Sequence, residues 1–134
     1  NFENQNEKVI LERNLLKILE NDIIPIINEN DLIAEEELRS GDNDTLAAKV
    51  AALLQADKLM ILSDVDGLYT DNPQQNPDAK KIEDVYKIND KIFSYVGEKK
   101  SENSLGGMKT KLRAAEIAGQ NGVETSIFKG VLGG

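Results

Sequence analysis

The sequence predicts an α/β domain with a mainly parallel β-sheet. A helix-like segment followed by a short apolar, strand-like segment occurs three times along the 134 residues. The first two strand-like segments are almost continuously apolar, which is typical of parallel strands that are buried on both faces. Their alternation with amphipathic helices therefore predicts a sheet with helices covering each face.

The first repeat predicts a helix over residues 7–22 and a strand over residues 23–27. Asn21 and Asp22 end the helical segment. Its apolar residues fall mostly at helical spacing and are Ile10, Leu15, Leu16, Ile18 and Leu19.

The second repeat predicts a helix over residues 45–57 and a strand over 58–62, and the third a helix over 108–122 and a strand over 123–128. Gly122 is placed to end the third helix. One face of each helix is apolar, formed by Leu46, Val50, Leu53 and Leu54 in the second and by Met108, Leu112 and Ala115 in the third. Between these repeats, residues 71–104 are polar and predict a surface excursion with a short helix around 88–96.

The composition favours a soluble, cytoplasmic domain and excludes several kinds of chemistry. Hydrophobic residues make up 40% of the chain, which is enough for a core. The absence of cysteine and histidine excludes thiol nucleophiles, disulfides, Cys/His zinc sites and Ser-His-Asp arrangements. A net charge of −8 argues against nucleic acid and anionic membranes as partners. The apolar runs are too short for a membrane span, and the sequence shows no signal-peptide pattern.

Four polar clusters lie where a parallel sheet would bind a ligand, beyond the carboxyl ends of its strands. Residues 28–31 (NEND) follow the first predicted strand, and 63–67 (SDVDG) follow the second. Residues 41–44 (GDND) open the helix between them, and 105–111 (LGGMKTK) open the third helix. Each has a simpler explanation: one Asp or Asn is enough to cap a helix, and Asp with Gly is ordinary in a turn. The SDVDG turn also fails as a calcium loop, because Gln75 stands where the bidentate Glu would be, so we predict no metal ligands.

Together the clusters suit phosphoryl transfer from ATP to a carboxylate. A carboxylate is already ionised at neutral pH, so the reaction needs no general base and the absence of histidine is no obstacle. It needs alignment and positive charge against the phosphates, which lysines, a helix N-terminus and Mg²⁺ can supply. An amino-acid acceptor would also require carboxylate and carbonyl partners for its ammonium group, as the NEND and GDND clusters provide.

These motifs, in this order, closely resemble those of the glutamate 5-kinases, members of the amino acid kinase superfamily. The resemblance covers roughly residues 17–127, and INEND with GDND is its specific part; SDVDGLY and GGM-x-x-K are shared with acetylglutamate and UMP kinases. It implies a three-layer α/β/α sandwich and the first step of proline synthesis, in which ATP and L-glutamate give L-glutamyl 5-phosphate. It also implies ATP and Mg²⁺ as cofactors, a homo-oligomer, and feedback inhibition by proline as a property to test.

The resemblance assigns roles to residues of this chain. Asp31 and Asn43 would bind glutamate, Asp44 would orient the catalytic lysines, and Lys111 would follow the transferring phosphoryl group. The nucleotide site would be lined by Ser63, Asp64, Leu105, Gly106, Gly107, Met108, Lys109, Thr110 and Lys111.

The chain departs from the family pattern in two ways. Ser104 and Leu105 stand where the family has Gly and Thr, and no segment before Asn21 resembles the family's N-terminal half. Residues 1–134 would then be the C-terminal portion of the domain, comprising the nucleotide side and part of the glutamate site. The chain begins without Met and ends in GVLGG, so we expect a fragment or a sequence with residues missing. Two alternatives stay open: a related kinase of the acetylglutamate or UMP type, and a non-catalytic binding or regulatory domain.

Overall fold

The computed structural model describes residues 2–28, 42–96 and 107–130. In chain order, the elements are α1 (Phe2–Glu20), α2 (Asn43–Leu53), β1 (Lys58–Ser63), β2 (Leu68–Tyr69), β3 (Lys81–Ile82), α3 (Asp90–Ser94), α4 (Met108–Gln120) and β4 (Glu124–Lys129). The predicted α/β class is confirmed, as are the three long helices and the strands of the second and third repeats. The predicted short helix is α3, and Gly122 follows α4 with a positive φ of 76° that suits glycine.

The main sheet of the described residues is a parallel pair, β1 and β4. Its register runs from Lys58 opposite Glu124 to Ser63 opposite Lys129. A second, short antiparallel pair joins β2 to β3, with Tyr69 opposite Lys81. The β2–β3 pair closes a loop over residues 70–80, and the turn over residues 64–67 lies between β1 and β2.

The core lies between the parallel pair and the two helices α2 and α4. Leu59 and Ile61 point from β1 toward these helices and are buried. Four alanines fill the space where the helices contact each other and the sheet, and they are Ala48, Ala51, Ala114 and Ala118. Because the distance between packed helices depends on the side chains at the contact, these small residues let α2 and α4 approach closely.

The predicted strand over residues 23–27 is wrong. Residues 23–28 form no regular secondary structure, and Ile24 and Ile26 are 85% and 94% exposed. A strand exists only when a neighbouring strand completes its hydrogen bonds, and in the described residues the parallel sheet contains β1 and β4 alone. Pro25 further weakens this segment as a strand because it has no N–H to donate.

The expected helix layers on both faces of the sheet are also not found in the described residues. Along β1 the side chains alternate, so that Leu59 and Ile61 are buried while Met60 and Leu62 are exposed. Both α2 and α4 pack on the buried face. Phe128 of β4 is likewise exposed, and this apolar outer face explains why continuous apolarity predicted burial on both sides.

Within the described ranges, no helix is long and apolar enough to cross a membrane.

Candidate active site

The chain path brings the N-termini of α2 and α4 to the edge where the parallel strands end. Helix α2 leads through a short turn into β1, so its first residues lie near the end of β1 at Ser63. Helix α4 leads in the same way into β4, which ends at Lys129. This is the edge at which open parallel sheets bind ligands.

Asp42 is the residue that caps α2. Its backbone is extended, and its carboxylate accepts hydrogen bonds from the N–H of Thr45 at 2.6 Å and from the Thr45 hydroxyl at 3.0 Å. A side-chain acceptor at this position satisfies a backbone N–H that has no partner within the helix. The carboxylate of Asp44, two residues later, is therefore not required as the cap.

Asp44 instead forms an ion pair with Lys111, which lies in the first turn of α4. Lys111 Nζ is 2.9 Å from Asp44 Oδ2, and the two side chains are 8% and 19% exposed. Thr110 Oγ1 lies 3.1 Å from the same oxygen. Removing two charges from water costs free energy that their attraction only roughly offsets, so a buried pair adds little net stability. The pair lies at the edge where open parallel sheets generally bind ligands.

The start of α4 has two features that favour an anion. Gly107 occupies the N-cap position and has no side chain to cap the helix. Its carbonyl accepts hydrogen bonds from the N–H groups of Thr110 at 3.1 Å and Lys111 at 3.5 Å. The helix dipole places partial positive charge at this end, beside the ammonium group of Lys111.

Lys109 lies apart from this pair. Its side chain is exposed and, with Arg113, lines a cleft of about 480 Å³ between α3 and α4. The same cleft is lined by the acidic residues Asp90 and Glu116, so its charge is mixed. The structure thus separates two kinds of basic residue on α4, a buried and paired Lys111 and exposed residues on the cleft side. Met108 begins the helix and is partly buried.

Ser63 and Asp64 lie at the end of β1 and make local contacts. The Ser63 hydroxyl donates to Asp64 Oδ1 at 3.2 Å and accepts from the N–H of Val65 at 3.3 Å. The Ser63 carbonyl accepts from the N–H of Gly130 at 2.8 Å, which ties the ends of β1 and β4 together. These two residues therefore lie at the same edge as Asp44 and Lys111, and the hydrogen bonds described here are with each other, with Val65 and with Gly130.

The remaining predicted site residues are only partly described. Asn43 is the first residue of α2 and is exposed, next to Asp44. Asp31, Leu105 and Gly106 lie outside the described residues.

A second cluster, not predicted from the sequence, holds the turn after β1. The Tyr69 hydroxyl lies 3.1 and 3.2 Å from the two carboxylate oxygens of Asp66, and Lys81 Nζ lies 3.6 Å from Asp66 Oδ2. The hydrogen bond from Tyr69, with the positive charge of Lys81, lowers the pKa of Asp66. The same hydrogen bond raises the pKa of Tyr69. The sequence predicts a turn here, because Asp66 is followed by Gly67. The ion pair with Lys81 could not be predicted in this way, because it depends on the pairing of β2 with β3.

The described residues do not form a metal site of their own. Among them, no group of three or more acidic side chains lies close enough to hold an ion. Mg²⁺ in phosphoryl-transfer sites is usually held by one or two carboxylates together with the substrate phosphates. Asp44 Oδ2 already faces Lys111 and Thr110, so this oxygen has protein partners and is not assigned as a Mg²⁺ ligand.

A fold of this kind, with a buried Asp–Lys pair at the edge of a parallel sheet, is compatible with a class of enzymes that transfer phosphoryl groups. Residues 1–129 match the amino acid kinase family, and the chain belongs to that family.

Among curated proteins, the chain is similar to several named glutamate 5-kinase. It is 48% identical over 122 residues to the protein of Idiomarina loihiensis, covering 91% of this chain and 33% of that protein. It is 49% identical over 120 residues to that of Salinibacter ruber (90% and 32%) and 52% identical over 110 residues to that of Streptococcus sanguinis (82% and 30%). The chain thus spans about a third of the length of the curated relatives it matches.

Proposed function

We propose that the protein containing this chain is a glutamate 5-kinase, which transfers the γ-phosphoryl group of ATP to the side-chain carboxylate of L-glutamate. The observation that carries the proposal is the buried Asp44–Lys111 pair, which joins the N-termini of two helices at the ligand-binding edge. Identity of about half to proteins of that name supports the choice of acceptor.

In the proposed reaction, an oxygen of the glutamate carboxylate forms a bond to the γ-phosphorus as the bond to the bridging oxygen of ADP breaks. The electron pair of the broken bond leaves with ADP, and no proton has to move. The chief obstacle is repulsion between the negative carboxylate and the phosphates, so fixed positive charge is the main contribution an enzyme can make.

Lys111 is suited to supply that charge. Its ammonium group is buried, where water screens it less, and the positive end of α4 lies beside it. A lysine side chain is long and flexible, so it needs a partner to hold its ammonium group in one place. Asp44 would provide this by anchoring the ammonium group at 2.9 Å.

The other roles follow the resemblance. We propose that Asn43 and Asp31 bind glutamate, that Ser63, Asp64 and residues 105–111 other than Thr110 line the nucleotide site, and that residues 1–134 form the C-terminal portion of the kinase domain. On the basis of the same resemblance, we propose that Mg²⁺ accompanies ATP, that the protein is a cytoplasmic homo-oligomer, and that proline inhibits it.

The acceptor can be tested with the full-length protein. We expect ATP-dependent formation of hydroxamate with L-glutamate and hydroxylamine, since an acyl phosphate reacts with hydroxylamine. N-acetyl-L-glutamate should give no comparable hydroxamate, and UMP should cause no comparable release of ADP. Equal or better turnover of either rival acceptor would refute the proposed function and favour a related kinase.

A further inference from the structure

We propose that Thr110 is a positioning residue, whose hydroxyl holds the carboxylate of Asp44 in place for Lys111. This role rests on the proposed function and replaces the expectation that Thr110 contacts the nucleotide. The contact joins residues 66 positions apart in the sequence and links α4 to α2.

The hydrogen-bonding capacity of Thr110 favours this role. Its Oγ1 lies 2.8 Å from the carbonyl oxygen of Gly107 and 3.1 Å from Asp44 Oδ2. Both partners are acceptors, and a hydroxyl has one hydrogen to donate. A phosphate oxygen would be a third acceptor for the same hydrogen. The hydroxyl of Thr110 is therefore better placed to form a hydrogen bond within the protein than to bind a nucleotide.

Gly107 explains why the hydroxyl of Thr110 faces Asp44. In a helix, threonine divides between two side-chain rotamers, because its hydroxyl can bond to a carbonyl three or four residues earlier. Thr110 Oγ1 lies within hydrogen-bond distance of the carbonyl of Gly107, three residues before it, so its one hydrogen is shared between this oxygen and Asp44 Oδ2. The shared hydrogen bond favours the rotamer that also places Oγ1 against Asp44, so the N-cap residue of α4 fixes the direction of the contact.

Asp44 Oδ2 thus faces two consecutive residues of α4. Lys111 Nζ lies at 2.9 Å and Thr110 Oγ1 at 3.1 Å from this one oxygen. The ammonium group sits on a flexible four-carbon stem, whereas the threonine hydroxyl is attached to a branched side chain with restricted rotation. The threonine contact restrains the carboxylate, and the carboxylate in turn restrains the ammonium group. Loss of the hydroxyl should leave the ion pair intact but less well aligned.

The test uses Thr110→Val, which keeps the shape but removes the hydroxyl, and Thr110→Ser, which keeps the hydroxyl. In the full-length protein, we expect Thr110→Val to lower kcat about tenfold, the effect of losing roughly one hydrogen bond, with the KM for ATP little changed. Thr110→Ser should recover most of the lost kcat. A rise in the KM for ATP with kcat retained in Thr110→Val would overturn the proposal and restore a nucleotide contact. Equal losses in both variants would also overturn it, since they would indicate packing alone.

A second measurement separates this inference from the acceptor assignment. Unfolding in urea of Thr110→Val, Asp44→Asn and the double variant gives the coupling between the two side chains without any assay of activity. We expect the effects of the single changes to be non-additive. Additive effects would refute the contact, whereas failure to phosphorylate L-glutamate with coupling intact would refute only the proposed acceptor.

Discussion

Replacement of Lys111 by methionine separates a catalytic charge from a general attraction for anions. Lys111→Met keeps a long apolar stem in a position where the side chain is 8% exposed, so the packing around α4 is largely retained. It removes the one ammonium group that contacts Asp44 in the described residues. Loss of a single fixed group that stabilises developing charge typically lowers kcat about a hundred- to thousandfold.

The effect of this change on stability should be smaller than for a fully buried pair. Breaking such a pair costs about 3–5 kcal/mol, because one charge is left without its partner. Asp44 is 19% exposed, lies in the first turn of α2, where the helix dipole favours a negative charge, and still faces Thr110. We therefore expect a cost below about 3 kcal/mol, so that the variant stays folded in the assay.

The assay is steady-state kinetics of the full-length protein with ATP and L-glutamate, beside equilibrium binding of ATP. Arg113→Met is the matched control, since it removes an exposed positive charge from the same helix. We expect a large fall in kcat for Lys111→Met with ATP affinity less affected, and little change for the control. If both variants lose ATP affinity to the same degree and neither loses kcat, α4 is simply a basic face and the reasoning is refuted.

Three further predictions concern the framework of the site. Asp42→Ala should lower the free energy of unfolding by about 0.5–2 kcal/mol through loss of the α2 cap; urea denaturation measures this, and an unchanged midpoint would contradict the assignment. Ala114→Leu should destabilise by about 1–3 kcal/mol, because the alanine is fully buried between tightly packed elements, and should also lower kcat by moving α4; unchanged values in both measurements would show that the contact has spare room. Tyr69→Phe should raise the pKa of Asp66 toward its ordinary value, followed by NMR titration of the carboxyl carbon. Since the native pKa of Asp66 is lowered, its contribution to stability is present above the pKa of the unfolded chain and is lost as pH falls through the native pKa; the variant should therefore differ from the native protein at neutral pH and converge with it in acid. An unchanged titration would show that the hydroxyl does not govern this carboxyl.

The extent to which the sequence predicts the fold depends on how local each signal is. Helix α4 and strand β4 were predicted because their periodicity and Gly122 lie within one short segment. The strand over residues 23–27 failed because apolarity cannot reveal whether a neighbouring strand is present. Likewise, continuous apolarity along β1 could not distinguish a face covered by helices from an exposed apolar face.

In the candidate site too, local features could be predicted from the sequence and contacts between distant residues could not. The sequence offers three possible N-caps for α2, which are Asp42, Asn43 and Asp44. Which of them caps the helix depends on the exact residue at which α2 begins. The pairing of Asp44 with Lys111 joins positions 67 apart, so periodicity alone could not find it and the family resemblance was needed. The contact of Thr110 depends on a side-chain rotamer that only the structure supplies.

The most direct test of this account is a double-mutant cycle on kcat. Asp44→Asn, Lys111→Met and the double variant of the full-length protein are compared with the native protein, using ATP and L-glutamate. If the two residues act as one unit, the double variant should be no slower than the more impaired single variant. A loss in the double variant equal to the product of the two single losses would contradict the account, because the residues would then act independently.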